Sequence, residues 1–260
     1  MKDLKEFRQA VRAAQFTDNT SGILPGLVQG NVVILPKIIA DQFIEFCLLN
    51  PIPCPIIGVS EPGVAEIPVL GECLDIRRDI PEYHVFEQGE FTKAVSDIEA
   101  YWQDDSVAAV FGCSFSFELA LQNAGINIRN LDLGLNVSMY DTNIALKSTE
   151  HFSGNMVVSM RPFKKSQIDQ VIKVTETFTK SHGAPVHIGD PAEIGIENIH
   201  QPEYGAAVPL EDDDVLVFWG CGVTTQRVLR RAKLPLLITH APGKMLVADY
   251  DYDGLIERIQ

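Results

Sequence analysis

The sequence predicts an α/β protein, with a mixed or parallel sheet and flanking helices. Three observations carry that expectation. Hydrophobic residues make up 46% and charged residues 22% of 260 positions, a globular mixture that excludes disordered, collagenous and coiled-coil chains. Short β-branched runs repeatedly give way to a turn and then a helical pattern, the grammar of a sheet covered by helices. Finally, residues 107–121 (VAAVFGCSFSFELAL) match residues 215–229 (VLVFWGCGVTTQRVL), aligning Gly112 with Gly220, Cys113 with Cys221 and Ser116 with Thr224. The match leaves room for two related α/β halves. No low-complexity linker separates them, so residues 1–260 read as one unit, with room for two intertwined subdomains.

Taken in order, Met1–Phe16 places Leu4, Phe7, Val11 and Ala14 on one helical face, with Lys2, Lys5, Arg8 and Arg12 off that stripe. Asn31–Leu35 (NVVIL) reads as a buried strand, followed by Pro36 and a helical run over 38–49. Asn155–Met160 is a second such strand, ending at Arg161-Pro162. Ser166 and Asp169 then form a capping-box-like start for a helix through Phe178. Val186–Ile188 is a short strand in a Gly/Pro-rich stretch, Glu211–Asp214 a solvated charge run, and 215–219 a buried strand. Leu236–Thr239 is the last buried strand, closing on His240-Ala-Pro-Gly243.

The formal charge is 21 − 35 = −14. An acidic chain repels phosphate backbones, so nucleic acid is not an expected partner. No stretch reaches the ~20 apolar residues of a membrane span, and no secretory or transit signal opens the chain, so no membrane partner and a cytoplasmic location are expected. Five cysteines, at 47, 54, 73, 113 and 221, lack the paired spacing of a zinc site, and reduced thiols with no metal are expected. Composition leaves homo-oligomerisation open. There is neither a Gly-x-Gly-x-x-Gly nor a phosphate loop, so no nucleotide cofactor is expected.

Candidate chemistry gathers at strand ends, where open α/β sheets bind ligands. Cys113, Ser114 and Ser116 follow Gly112 at a helix start, and Gly222 and Thr224 occupy the equivalent turn of the second copy. Unpaired N–H groups at such helix mouths attract carboxylates, although caps and packed cysteines draw on the same residue types. Gly112-Cys-Ser-Phe-Ser116 also approaches a nucleophile elbow without its final glycine. That admits a hydrolase with Cys113 or Ser114 as nucleophile and His182, His187 or His240 as base. His182, His187 and Asp190 form a proton-handling candidate set. Arg161 suits bidentate carboxylate binding. Ser21 and Asn31, in the Gly/Pro-punctuated approach to the first strand, are candidate ligand contacts, with a plain connector as the alternative.

Six phrases in chain order, TSGILPGLVQGN (20–31), FGCSFSFE (111–118), VSMRP (158–162), HGAPVHIGDP (182–191), VFWGCGVT (217–224) and THAPG (239–243), resemble the hydro-lyases related to D-glutamate cyclase. Thr225 and Lys244 depart from that pattern, where proline and histidine are common. The resemblance implies closure of D-glutamate, or a similar small amino-dicarboxylate, to a lactam with loss of water and no redox cofactor. Set against these residues, Arg161 would hold the α-carboxylate. His187, oriented by Asp190, would shuttle the proton, with His182 as rival, and N–H groups at Ser114 or Gly222 would receive the oxyanion. A non-catalytic carboxylate-binding protein is the third reading.

Overall fold

The structure, a computed structural model, describes residues 3–259. Met1 and Lys2, the first two residues of the helix predicted over 1–16, lie outside the described residues. In chain order the elements are α1 (Leu4–Arg12), β1 (Leu27–Pro36), α2 (Lys37–Leu49), β2 (Ile56–Val59), β3 (Tyr83–Glu87), β4 (Glu90–Val95), β5 (Ser106–Gly112), α3 (Glu118–Asn123) and α4 (Arg129–Asp132). There follow β6 (Ser138–Ala145), β7 (Asn155–Lys164), α5 (Ile168–Thr175), β8 (His187–Ile188), β9 (Asp214–Gly220), α6 (Val223–Arg231), β10 (Leu237–His240), β11 (Leu246–Asp251) and α7 (Tyr252–Ile259).

The α/β class is as the sequence predicts, but the strand direction is not parallel: every pairing among the described residues is antiparallel. A seven-stranded sheet runs β2-β5-β1-β10-β3-β4, with β11 also on β1, and a four-stranded sheet runs β6-β7-β9-β8. The two Gly-Cys copies therefore end strands of different sheets, β5 in the larger and β9 in the smaller.

Period-two alternation sorts each strand's side chains between two layers. Val33 and Leu35 of β1 and Phe111 of β5 join Phe43 and Phe46 of α2 in a core that also holds Met160 of β7 and Phe218 of β9. The two sheets thus share one apolar filling. The opposite face of the larger sheet buries Val32, Ile34 and Val110 against Leu70, Ile76 and Leu255. The opposite face of the smaller sheet buries Phe163, Val217 and Trp219 against Phe117, Leu121 and Val171.

Local details differ from the sequence reading for tertiary reasons. Asp3 caps α1 by accepting the Glu6 N–H at 2.8 Å. Arg8, expected on the solvent side, is buried, donating to the Val247 carbonyl at 3.0 Å and pairing with Asp249 at 2.6 Å. β7 does not stop before Arg161-Pro162 but runs through Lys164. The turn into α5 is fixed by Gln167 Oε1 accepting the Lys164 N–H at 3.3 Å rather than by Ser166 and Asp169. No helix among the described residues is long and apolar enough to cross a membrane, and all five cysteines are free thiols.

Candidate functional site

Two strand ends meet here. β5 terminates at Gly112 and a short 3-10 turn over Ser114–Phe117 precedes α3; β9 terminates at Gly220 and α6 begins at Val223. Cys113, Phe115 and Val223 share a buried cluster against which Cys221 packs, so the two turns face a common interior. The joint between them is Asn31. Its amide donates to the Gly112 carbonyl at 3.2 Å, and a Cβ on Gly222 would lie 2.1 Å from that amide nitrogen. A side chain at Gly222 would displace the Asn31 amide, and one at Gly112 would run into backbone.

Gly112 is the more constrained of the two. A Cβ there would fall 1.6 Å from the Lys180 carbonyl oxygen, a backbone atom that cannot swing away. Gly112→Ala is therefore expected to cost more than about 4 kcal/mol, since only backbone displacement relieves the clash. Gly134→Ala, at φ +65° but with open space around it, should cost about 1 kcal/mol. Thermal melts of the two variants check this; equal melting temperatures would contradict the close approach.

Between the turns, β7 presents Arg161. It faces Val217 across the β7–β9 ladder and so projects from the same sheet face as Trp219 and Phe163. The side chain is 1% exposed, with its guanidinium 5.4 Å from the Phe117 ring centre and 5.7 Å from that of Trp219. Nη2 donates to Glu118 Oε1 at 2.7 Å and to Ser114 Oγ at 3.1 Å. Ser21 Oγ donates to the second Glu118 oxygen at 3.3 Å. Arg161 Nε, also buried, has no hydrogen-bond partner among the described residues, and neither has Asn136 Oδ1. Asn136 lies against Gly243, whose Cβ would lie 2.9 Å from the Asn136 amide nitrogen and 3.3 Å from that of Asn19. Asn19 Oδ1 in turn accepts the Ser21 N–H at 2.7 Å.

The electrostatics follow from burial. Desolvation raises the Glu118 carboxyl above its usual range even though Arg161 pulls the other way. It pushes the Cys113 thiol up to about 12 and the Cys221 thiol up to about 11. The backbone N–H groups of Phe115 and Val223 oppose these shifts, as does Arg161. His182 is held down at about 4, chiefly by burial; its Nδ1 lies 2.8 Å from the Ile52 carbonyl. His182 also borders a cavity of about 590 Å³ whose walls include Ile52, Met156, Glu176 and Val186.

The structure thus brings Cys113, Ser114, Arg161, Ser21, Asn31 and Gly222 together, with His182 at the back of the Gly112 turn. It does not bring His187 and Asp190 there, which corrects the expectation of a shuttle beside Arg161. His187 pairs with Phe218 of β9 and lies on that residue's face of the small sheet, opposite the face from which Arg161 projects. Its Nε2 is 2.8 Å from the Asp190 carbonyl, while the Asp190 side chain caps the next turn by accepting the Ala192 N–H at 2.9 Å. Ser116 and Thr224 are committed to the scaffold: Ser116 Oγ accepts the Gln29 N–H at 3.1 Å and Thr224 Oγ1 accepts the Val157 N–H at 3.0 Å. His240 is likewise structural, with Nδ1 accepting the Val32 N–H at 3.0 Å. Glu118 and Asn136 are the residues sequence reasoning missed. The one trace of Glu118 in the sequence, a lone acid inside the apolar run FSFELAL, is equally what the first turn of a helix accounts for.

Fold and site together define an α/β protein whose centre is a buried guanidinium–carboxylate pair set between two thiol-bearing strand ends. Residues 107–249 match the family described as D-glutamate cyclase. A protein of Aliivibrio salmonicida (strain LFI1238) named "putative hydro-lyase" is 52% identical, covering 95% of this chain and 94% of its own length. One of the same name from Shewanella woodyi is 50% identical over 98% of this chain and 95% of that one. The chain belongs to the D-glutamate cyclase family. Among solved structures, a nitrogen repressor-like protein from Methanococcus jannaschii aligns over 96% of this chain and 97% of that one, at a TM-score of 0.36 and 11% identity. That score is too low to transfer a fold.

Proposed function

We propose that this protein is a hydro-lyase acting on a small amino-dicarboxylate, with D-glutamate as the leading substrate and 5-oxo-D-proline and water as products. The observation that carries the reading is Arg161: a fully buried guanidinium that keeps an unpartnered Nε–H beside a carboxyl of raised pKa. Such a donor suits one carboxylate of the substrate, because guanidinium and carboxylate match in geometry and charge. Asn136 Oδ1, the unpartnered acceptor, complements an ammonium group.

Ring closure forms a bond between the α-nitrogen and the γ-carboxyl carbon and breaks one carbon–oxygen bond. Two protons leave the ammonium and both finish on the departing oxygen as water. Glu118 is suited to carry them, since its raised pKa brings its proton affinity towards that of the groups it serves. Backbone N–H groups at Ser114 and Gly222 are the candidate donors to the tetrahedral oxyanion. Holding amine and carboxyl together supplies much of the rate, since the reaction is intramolecular.

The geometry favours this over a hydrolase with Cys113 or Ser114 as nucleophile. The Cys113 thiol is pushed away from the thiolate, and Ser114 Oγ accepts from Arg161 rather than facing a histidine base. Purified protein incubated with D-glutamate is expected to release 5-oxoproline, measured by chiral chromatography, and to do so faster than with L-glutamate. No turnover of any amino-dicarboxylate of either hand would overturn the reading.

A further inference from the structure

The geometry points to a second binding site, at the C-terminal end of α6, built for a small polyanion bearing phosphate or carboxylate groups. A cavity of about 350 Å³ opens there, lined by Gly89, Glu90, Tyr204, Arg227, Arg230 and Arg231. Three guanidiniums converging on one concavity stand out in a chain of net charge −14. Their spacing, i, i+3 and i+4, puts them on one face of the helix, where like charges repel unless an anion comes between them. The helix dipole welcomes cations at this end. That accounts for basic residues in the last turn but not for their convergence on a hollow.

Two of the three are fixed in place. Arg227 Nη1 pairs with Asp141 at 2.6 Å. Arg230 Nε donates to the Gly89 carbonyl at 3.4 Å, and its guanidinium lies 5.1 Å from the centre of the Phe86 ring. Each keeps further N–H groups for a ligand, since a guanidinium carries five. Arg231 is exposed and makes no ion pair among the described residues. Against these three charges, and Lys233 packed on Gly89, stand Asp141, already engaged, Glu203 beside it and Glu90 on the rim, which leaves one positive charge in surplus for an oxyanion to neutralise. Pre-positioned donors lower the ordering cost of binding. One wall is shared with the first site, because Tyr204 also packs against the cluster that holds Cys113.

Calorimetric titration of the intact protein with inorganic pyrophosphate, and separately with citrate, tests the assignment. Single-site binding is expected for at least one of them. It should weaken about tenfold or more in Arg230→Gln/Arg231→Gln, through loss of charge-assisted hydrogen bonds, and about threefold in Arg231→Gln, whose exposed side chain leaves the fold intact. Arg258→Gln, whose guanidinium stacks on Tyr250 at 3.9 Å, should bind as the parent does. Preference for pyrophosphate identifies a phosphate-bearing ligand as the class, and preference for citrate a polycarboxylate. No heat with either anion, or equal affinity in the double variant, overturns the site. Turnover of D-glutamate should be unchanged in Arg231→Gln, so failure here and failure of the lyase reading are separately visible.

Discussion

Arg161→Met is expected to lower the free energy of unfolding by about 3–5 kcal/mol and to abolish lactam formation from D-glutamate. The cause is what remains behind. Glu118, 4% exposed, loses the charge 2.7 Å away that offsets its desolvation, and must either stay ionised without a partner or take up a proton. Glu118→Gln leaves the converse problem, an unpaired buried guanidinium, and should cost a similar amount. Removing both charges at once relieves both penalties, so Arg161→Met/Glu118→Gln should regain most of the stability while remaining inactive. Urea denaturation of the four proteins, with a 5-oxoproline assay on each, closes the cycle. A single variant that loses less than about 1 kcal/mol, the worth of an exposed pair, would contradict the buried pairing. A double variant that still turns over substrate would remove Arg161 from the mechanism.

Acid should unfold this protein through its histidines well before most carboxylates respond. His182 and His240 are 2% and 1% exposed, and burial holds both at about 4, against 6.5 for a free imidazole. Both folded values are depressed. Their contribution is therefore fully present above pH 6.5 and is lost as the pH falls towards 4, because the unfolded chain takes up protons that the folded one refuses. At one and a half pH units below the free value the loss is about 2 kcal/mol per histidine, or about 4 kcal/mol together. Glu118 works in the opposite sense. Its raised pKa contributes stability below the ordinary glutamate range that is lost as the pH rises through its folded value, so it offsets part of the loss only at the acid end. Unfolding midpoints at pH 7.5 and pH 5.0 check the window, and a flat profile between them would show that the two rings titrate freely in the folded state.

Much of the site was legible because it rests on local grammar. A β-branched run ending in glycine, followed by small and hydroxyl residues, marks a strand end opening into a helix, and both Gly-Cys turns obey it. Arg161 was legible as a charge interrupting the run NMVVSMRPF. Glu118 was not, since an acid in the first turn of a helix already has a reason to be there, the helix dipole. Its partner is Arg161, brought from β7. His187 and Asp190 misled in the opposite way. They are close in sequence and chemically apt, yet strand alternation turns His187 to the far face of the small sheet. Strand direction was likewise hidden: after β5 the chain passes through α3 and α4 into the other sheet instead of returning beside the strand it left, and no local pattern announces that.

The position of β1 carries a consequence for biogenesis. That strand is bordered by β5 on one edge and by β10 and β11 on the other, so Leu27–Pro36 has partners that emerge from the ribosome long after it does. The larger sheet is complete only once Leu246–Asp251 has emerged. Pairings of such long sequence separation are slow to form, and until they do an apolar strand edge stays open to rival chains. The nascent polypeptide should accordingly need shelter during translation, and fragments that stop at His240, before β11, should collect as aggregates rather than as a smaller folded form.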